Sequence, residues 1–231
     1  LNYGTETLYS EGLIIKTSLN TDLQQLAEES LINGLIQYDK NQGWRGVVGN
    51  LDEHNQKIED AIKKIINPFP NRWLLSKIEK VSSTKLILSN LKLGNIEIDL
   101  ELQQNKWLIN KKFKKNDLLF IEKYNSTFVV RQIPNVNGAI IVIEPFSGDI
   151  LAMSGGFSFN LSQFNRSTQA KRQPGSAFKP FVYISALKKG YTPSTLILDA
   201  PYVIDQGPGL PKWKPANYSD EFYGLTTMRT G

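Results

Sequence analysis

A serine three residues ahead of a lysine is the pairing in this chain best suited to covalent chemistry. A serine hydroxyl is a poor nucleophile until a neighbouring base takes its proton. A lysine amine is such a base only when desolvation or nearby positive charge favours its neutral form. The spacing occurs at Ser82–Lys85, Ser89–Lys92, Ser176–Lys179 and Ser185–Lys188, so spacing alone does not choose. On a helix, residues three apart share a face. The first two pairs fall in stretches that read as strand or turn, where such residues diverge. Ser185–Lys188 sits late in a helical stretch, where a cation is structurally favourable. Only Ser176 stands where a glycine, Gly175, hands over to a helix, expected from Ser176 to about Lys189 and closed by Gly190. Lys179 is flanked by Phe178, Pro180 and Phe181, an apolar setting that suits a neutral amine. Free N–H groups at such a helix start favour the oxyanion of acyl transfer.

Other chemistries have little to work with. The chain of 231 residues has no cysteine and one histidine, His54. Disulfides, thiol catalysis and cysteine-ligated metals are excluded, and a histidine triad would rest on a residue that reads as a solvated loop position. Glu144 and Asp149 flank a turn rather than a sugar cleft. No metal or cofactor is expected. No run approaches the ~18 apolar residues of a membrane span. The net charge is +5, acidic over residues 1–70 and basic over 71–132. The surplus is mostly lysine in a Lys-, Ile- and Asn-rich chain, and reads as a solvated surface rather than a nucleic-acid footprint. The first residue is Leu1, which reads as a piece of a longer protein.

The elements that must position the serine fall into three segments. Residues 1–70 read as a strand near Leu13–Leu19, then a helix starting at Asn20 or Thr21 with capping-box spacing to Gln24. Its apolar stripe runs Leu23, Leu26, Ala27, Leu31, Leu35 and Tyr38. A second helix is expected from Asp52 to Ile66, with Ile58, Ile62, Ile65 and Ile66 inward. Asn67-Pro-Phe-Pro-Asn71 closes this lead-in. Residues 71–133 carry five short β-rich runs, at Trp73–Val81, Lys85–Leu88, Asn95–Leu100, Leu118–Lys123 and Thr127–Gln132. These suggest a small OB-like β-barrel. Residues 134–231 open with a hairpin turning around Pro145–Asp149, lead to the Ser176 helix, and end in a Pro-, Gly- and Tyr-rich stretch with little periodicity.

The stretch Phe164-Asn-Arg-Ser-Thr-Gln-Ala-Lys-Arg-Gln-Pro-Gly-Ser-Ala-Phe-Lys-Pro-Phe-Val-Tyr183 closely resembles the active-site segment of class A penicillin-binding proteins. These are the bifunctional glycosyltransferase/transpeptidases of bacterial cell-wall synthesis. The preceding hairpin, Ala139 to Gly156, resembles the family's first transpeptidase strands, and Trp213-Lys-Pro-Ala-Asn-Tyr218 its Trp-x-Pro-x-Asn-Tyr segment. Leu8–Leu26, Tyr38-Asp39 and Gly43-Trp-Arg-Gly46 are similar to the linker of the PBP1a branch, which carries an OB-like insertion.

The resemblance implies an α+β fold: an OB-like barrel inserted before a truncated penicillin-binding, serine β-lactamase-like transpeptidase domain. It implies Ser176 as nucleophile on the D-Ala-D-Ala bond of peptidoglycan stem peptides, with Lys179 as general base. Trp213, Asn217 and Tyr218 become candidate substrate-binding residues. β-Lactams become ligands, and a periplasmic face of the inner membrane the expected location, with glycosyltransferase and anchor before Leu1. Arg166, Lys171 and Arg172 read as structural supports.

The family also needs Ser-x-Asn and Lys-Thr-Gly motifs after the nucleophile. Ser18–Asn20 and Ser158–Asn160 precede it, and Arg229-Thr-Gly231 reads as an earlier segment. The chain alone is therefore expected to be an incomplete site. Two other readings share these features: a serine β-lactamase or penicillin sensor, and a non-catalytic module whose β-domain docks an envelope protein.

Overall fold

The computed structural model describes residues 9–10, 14–54 and 57–230; the His54 side chain lies outside what is described. The chain divides into two compact units, Leu1–Ala170 and Lys171–Gly231.

In the first unit, α1 spans Thr21–Asn41. Asn20, not Thr21, is its N-cap: Asn20 Oδ1 accepts from the N–H groups of Asp22 (3.1 Å) and Leu23 (3.0 Å). Gln24, expected in a capping box, instead grips a strand edge. Its amide donates to Met153 O at 2.9 Å and accepts from Met153 N at 2.8 Å. The buried stripe of α1 is Ala27, Ile32, Ile36 and Asp39. Leu26 and Tyr38, expected inward, are exposed. Residues 14–20 form no regular strand; they follow β8 (Ile150–Ser154) through Ser18 Oγ to Ile150 O and Asn20 N to Leu151 O. Leu13 is outside the described residues. The second helix is shorter than expected: a 3₁₀ turn at Asp52–His54 and α2 at Ile58–Lys64. Ala61 is its buried residue, while Ile62 and Ile66 are exposed.

The five expected β-runs appear as β2 (Trp73–Val81), β3 (Lys85–Asn90), β4 (Gly94–Asp99), β5 (Asp117–Tyr124) and β6 (Thr127–Arg131). A short β1 (Gly49–Asn50) joins them. The sheet runs β1-β5-β2-β3-β4, with β6 also paired to β5, all antiparallel. Strand β5 explains the arrangement. Its residues 117–122 are all buried. Because side chains alternate across a sheet, Leu119 and Ile121 join one core with Ile78, Leu86, Leu88, Ile98 and Leu108. Leu118 and Phe120 join another with Trp73, Ile32, Ile36 and Ala61.

No closed barrel is found among the described residues, so the OB-like barrel is not confirmed. β4 and β6 form no ladder. The fully buried Asn105 stands at that seam. Its amide donates to Asp99 O (3.0 Å) and Phe128 O (3.1 Å), and its Oδ1 accepts from Val130 N at 3.0 Å.

After β6 the chain is fastened back to α1. Buried Asp39 accepts from Arg45 (2.7 Å), Gln132 (2.7 Å) and Asn135 N (3.0 Å). Burial alone raises the Asp39 pKa, but these hydrogen bonds and the Arg45 charge outweigh it and hold the carboxyl below its ordinary range. The expected hairpin is β7 (Ile140–Ile143) paired with β8. Glu144 closes its turn by accepting from Phe146 N and Ser147 N, a turn role rather than a catalytic one. Beyond β8, a Cβ on Gly155 would lie 2.8 Å from Asn165 Cα. Only glycine allows the chain to return this closely.

The second unit holds a 3₁₀ turn at Gly175–Phe178, α3 at Lys179–Lys188, and the antiparallel pair β9 (Leu196–Asp199) and β10 (Gly224–Thr227). None of its described residues is buried.

Candidate active site

Ser176 lies inside the 3₁₀ turn and Lys179 begins α3. The expectation of a continuous helix from Ser176 is corrected by one turn. The reason is local: Gly175 has φ +54°, a left-handed value that glycine tolerates, and Pro180 fits the first turn of α3. In a 3₁₀ turn, side chains three apart eclipse, so the turn sets Ser176 and Lys179 on one side. The carbonyl of Ser176 accepts from Lys179 N. The N–H of Ser176 has no backbone acceptor among the described residues, which leaves it available to a developing oxyanion.

Both side chains are exposed. No hydrogen bond or ion pair joins them among the described residues. The apolar setting expected around Lys179 is present in residue type but open to solvent, with Phe178 at 57% and Phe181 at 65% exposure. Those two rings pack on one another at 5.6 Å.

The candidate substrate-binding residues sit elsewhere in the same unit. Trp213 forms an isolated bridge with Ile204 through two 2.9 Å backbone hydrogen bonds, and its ring is half exposed. Asn217 is held by Asp199 Oδ2 (2.8 Å) and Glu221 O (2.9 Å). Tyr218 is fully exposed. No hydrogen bond or ring contact brings these three to Ser176 among the described residues.

Asp199 was missed by sequence reasoning. It also accepts from Tyr223 N at 2.9 Å and so organises the whole 217–223 loop. A lone aspartate before Ala-Pro gives no periodic signal.

Arg166 serves a structural role, donating to Phe164 O at 3.1 Å and stacking over the Phe164 ring at 5.5 Å. Ser158 and Asn160, an early Ser-x-Asn match, bind Pro68 O (2.8 Å) and Asn67 O (3.3 Å). Among the described residues no cluster of His, Cys, Asp or Glu could hold a metal ion, and no helix is long and apolar enough to cross a membrane.

The family model described as the penicillin binding protein transpeptidase domain matches residues 138–231, which contain Ser176 and Lys179. Penicillin-binding protein 1A of Rickettsia felis is 39% identical over 98% of this chain, and that of Rickettsia conorii 40% identical over the same share. This chain belongs to the penicillin-binding proteins. The crystal structure of penicillin-binding protein 1A from Haemophilus influenzae superposes with a TM-score of 0.81 at 29% identity, covering 100% of this chain and 35% of that one. The chain spans 29% of the length of the two rickettsial relatives. The penicillin-binding family thus places the 3₁₀ turn of Ser176 within a transpeptidase segment.

Proposed function

We propose that this chain is part of a serine D,D-transpeptidase that cross-links peptidoglycan through an acyl-enzyme. The observation that carries the reading is the Ser176–Lys179 turn, opened by Gly175 at φ +54° within residues matched to the transpeptidase family. Lys179, as general base, takes the Ser176 proton as Oγ attacks the carbonyl of the terminal D-Ala-D-Ala bond. The tetrahedral oxyanion is held by the Ser176 N–H and a second donor elsewhere in the protein. The C–N bond breaks, the proton passes to the leaving amine, and D-Ala departs. An amine of a neighbouring stem peptide then attacks the ester, restoring Ser176 and closing the cross-link. A β-lactam acylates the same oxygen. Trp213, Asn217 and Tyr218 line the stem-peptide cleft in this reading.

Helix α3 supports a larger domain around this turn. It is apolar around most of its circumference and has no buried residue, whereas such helices belong inside a fold. We assign residues 1–70 to the lead-in, 71–133 to an inserted β-domain that offers a surface for an envelope protein, and 134–231 to the first part of the transpeptidase. The whole protein also carries a glycosyltransferase and an anchor in the inner membrane, facing the periplasm. The isolated chain is expected to be inactive, because no Ser-x-Asn or Lys-Thr-Gly motif follows Ser176 in it.

The test is labelling of the full-length protein with a fluorescent penicillin beside Ser176→Ala. Labelling of the wild type alone is expected; equal labelling of both removes the nucleophile assignment. Turnover of the labelled ester within seconds would favour a β-lactamase instead.

A further inference from the structure

Asp199 ends strand β9 opposite Gly224, the first residue of β10, and one of its oxygens holds two donors. Oδ2 accepts from Asn217 Nδ2 at 2.8 Å and from Tyr223 N at 2.9 Å, so a single acceptor grips both ends of the 217–223 loop. We propose that Asp199 is a positioning residue of the stem-peptide cleft: it fixes the Asn217 amide so that Oδ1 faces the peptide and accepts one of its N–H groups. The inference deepens the transpeptidase reading above and rests on it.

The amide can stand only one way round. Asn217 Nδ2 uses both of its hydrogens, one on Asp199 Oδ2 and one on Glu221 O at 2.9 Å. Neither a carboxylate nor a backbone carbonyl can donate in return. A flipped amide would set its oxygen against two acceptors, so donor and acceptor cannot exchange places. Oδ1 is left without a protein partner among the described residues. The half-buried side chain therefore offers a ligand an acceptor and no donor. That selects an N–H of the peptide backbone over one of its carbonyls.

The loop is ordered around this pin without help from a ligand. Asp220 N donates to Asn217 O at 3.0 Å, and Tyr223 Oη to Ser219 Oγ at 3.2 Å. Asp220 takes a left-handed φ of +55° in making the turn. Tyr218, beside Asn217, stays fully exposed. Holding both ends thus sets the direction in which Asn217 and Tyr218 leave the backbone, and little ordering cost remains for binding. Asp199 touches no peptide in this arrangement; it acts through Asn217.

The test uses the full-length protein and an N-acetylated pentapeptide ending in D-Ala-D-Ala, with D-Ala release measured in the presence of an amine acceptor. Asp199→Ala and Asn217→Ala are each expected to raise KM roughly five- to tenfold while kcat stays within about twofold, because the lost bond holds bound peptide rather than the reacting atoms. The double variant should be no worse than either single one, since the two residues act as one unit. Asp199→Asn keeps an acceptor oxygen and should restore most of the affinity. Peptides N-methylated at one amide at a time then identify the N–H. Wild type should reject one member roughly five- to tenfold, and Asn217→Ala should take that member as readily as the parent peptide. A role confined to loop stability would not move that comparison. If Asp199→Ala lowers the melting temperature, Asn217→Ala carries the test, because Asp199 keeps Tyr223 N in that variant. Losses that multiply in the double variant, a fall in kcat at unchanged KM, or N-methyl penalties identical in wild type and Asn217→Ala overturn the proposal. Penicillin labelling beside Ser176→Ala reads the transpeptidase assignment separately. Labelling that depends on Ser176, together with a KM indifferent to Asp199→Ala, removes Asp199 from the cleft and leaves that assignment standing.

Discussion

The sheet layer and the serine-bearing unit contain similar kinds of side chain and treat them differently. In the layer, Ile78, Leu86, Leu88, Ile98, Leu108, Leu119 and Ile121 are all at 0% exposure, and Trp73 and Phe120 are equally hidden on the opposite face. In the second unit, Phe181, Val182, Ile184 and Leu187 of α3 stand at 65%, 56%, 52% and 48% exposure. Apolar composition alone does not make a core; a strand or helix needs a partner surface of matching period. Strand β5 has partners on both faces, while α3 has none among the described residues of its own unit. The residues suited to chemistry thus sit where the chain contributes least to its own stability.

The sharpest way to break this contrast is to hollow the layer. Phe120→Ala removes a ring packed against Trp73 at 5.8 Å and is expected to cost about 3–5 kcal/mol of unfolding free energy. Urea denaturation of the chain measures it. A loss below about 1 kcal/mol, the level of an ordinary surface change, would mean that the layer is not close-packed.

A smaller loss is expected at the seam. Asn105→Ala strips partners from Asp99 O, Phe128 O and Val130 N in a buried place. Each orphaned group carries a penalty of about 1–3 kcal/mol, and water entering the gap recovers part, so about 2–4 kcal/mol in total is expected. Hydrogen exchange at β4 and β6 should rise before exchange at β2 and β5. Uniform acceleration would show that Asn105 does not join those edges specifically.

The Asp39 joint comes next. Its carboxyl is ionised in the fold at a pKa below the ordinary 3.8. The stabilisation is therefore fully present above pH 3.8 and is lost as pH falls through the lower folded value. Asp39→Asn keeps the shape and removes the charge-assisted bonds, at an expected cost of about 1–2 kcal/mol at neutral pH. The gap between wild type and variant should close as urea titrations move to more acid pH. A gap that persists below the folded pKa would refute the linkage.

What the sequence disclosed follows from periodicity. Strand β2 falls at Trp73–Val81 as expected, and the other four runs shift by two residues or fewer, because alternation and turn residues are local signals. The break at Gly175 was legible for the same reason, but the 3₁₀ turn over Gly175–Phe178 that replaces the first turn of helix was not. Side chains acting across the chain were not legible. Gln24 reads as a capping residue until Met153 lies beside it. Nothing local to Asp39 announces Gln132 and Asn135, which arrive from 93 and 96 residues away. The β9–β10 pair was missed because a long connection, not a tight turn, separates its strands.

The smallest effect is expected in α3. Phe181→Ala removes a large ring, yet the ring is 65% exposed in this chain. Its truncation here should change stability by no more than about 0.5 kcal/mol, as for other surface sites. In the full-length protein the same substitution should cost about 3–5 kcal/mol if the remaining transpeptidase sequence buries α3. The two measurements together decide what the bare helix means. Small losses in both settings would make α3 a surface helix, and would remove its support for the proposed Ser176–Lys179 site. A large loss only in the longer protein would show that residues beyond this chain bury α3 beside the proposed Ser176 site.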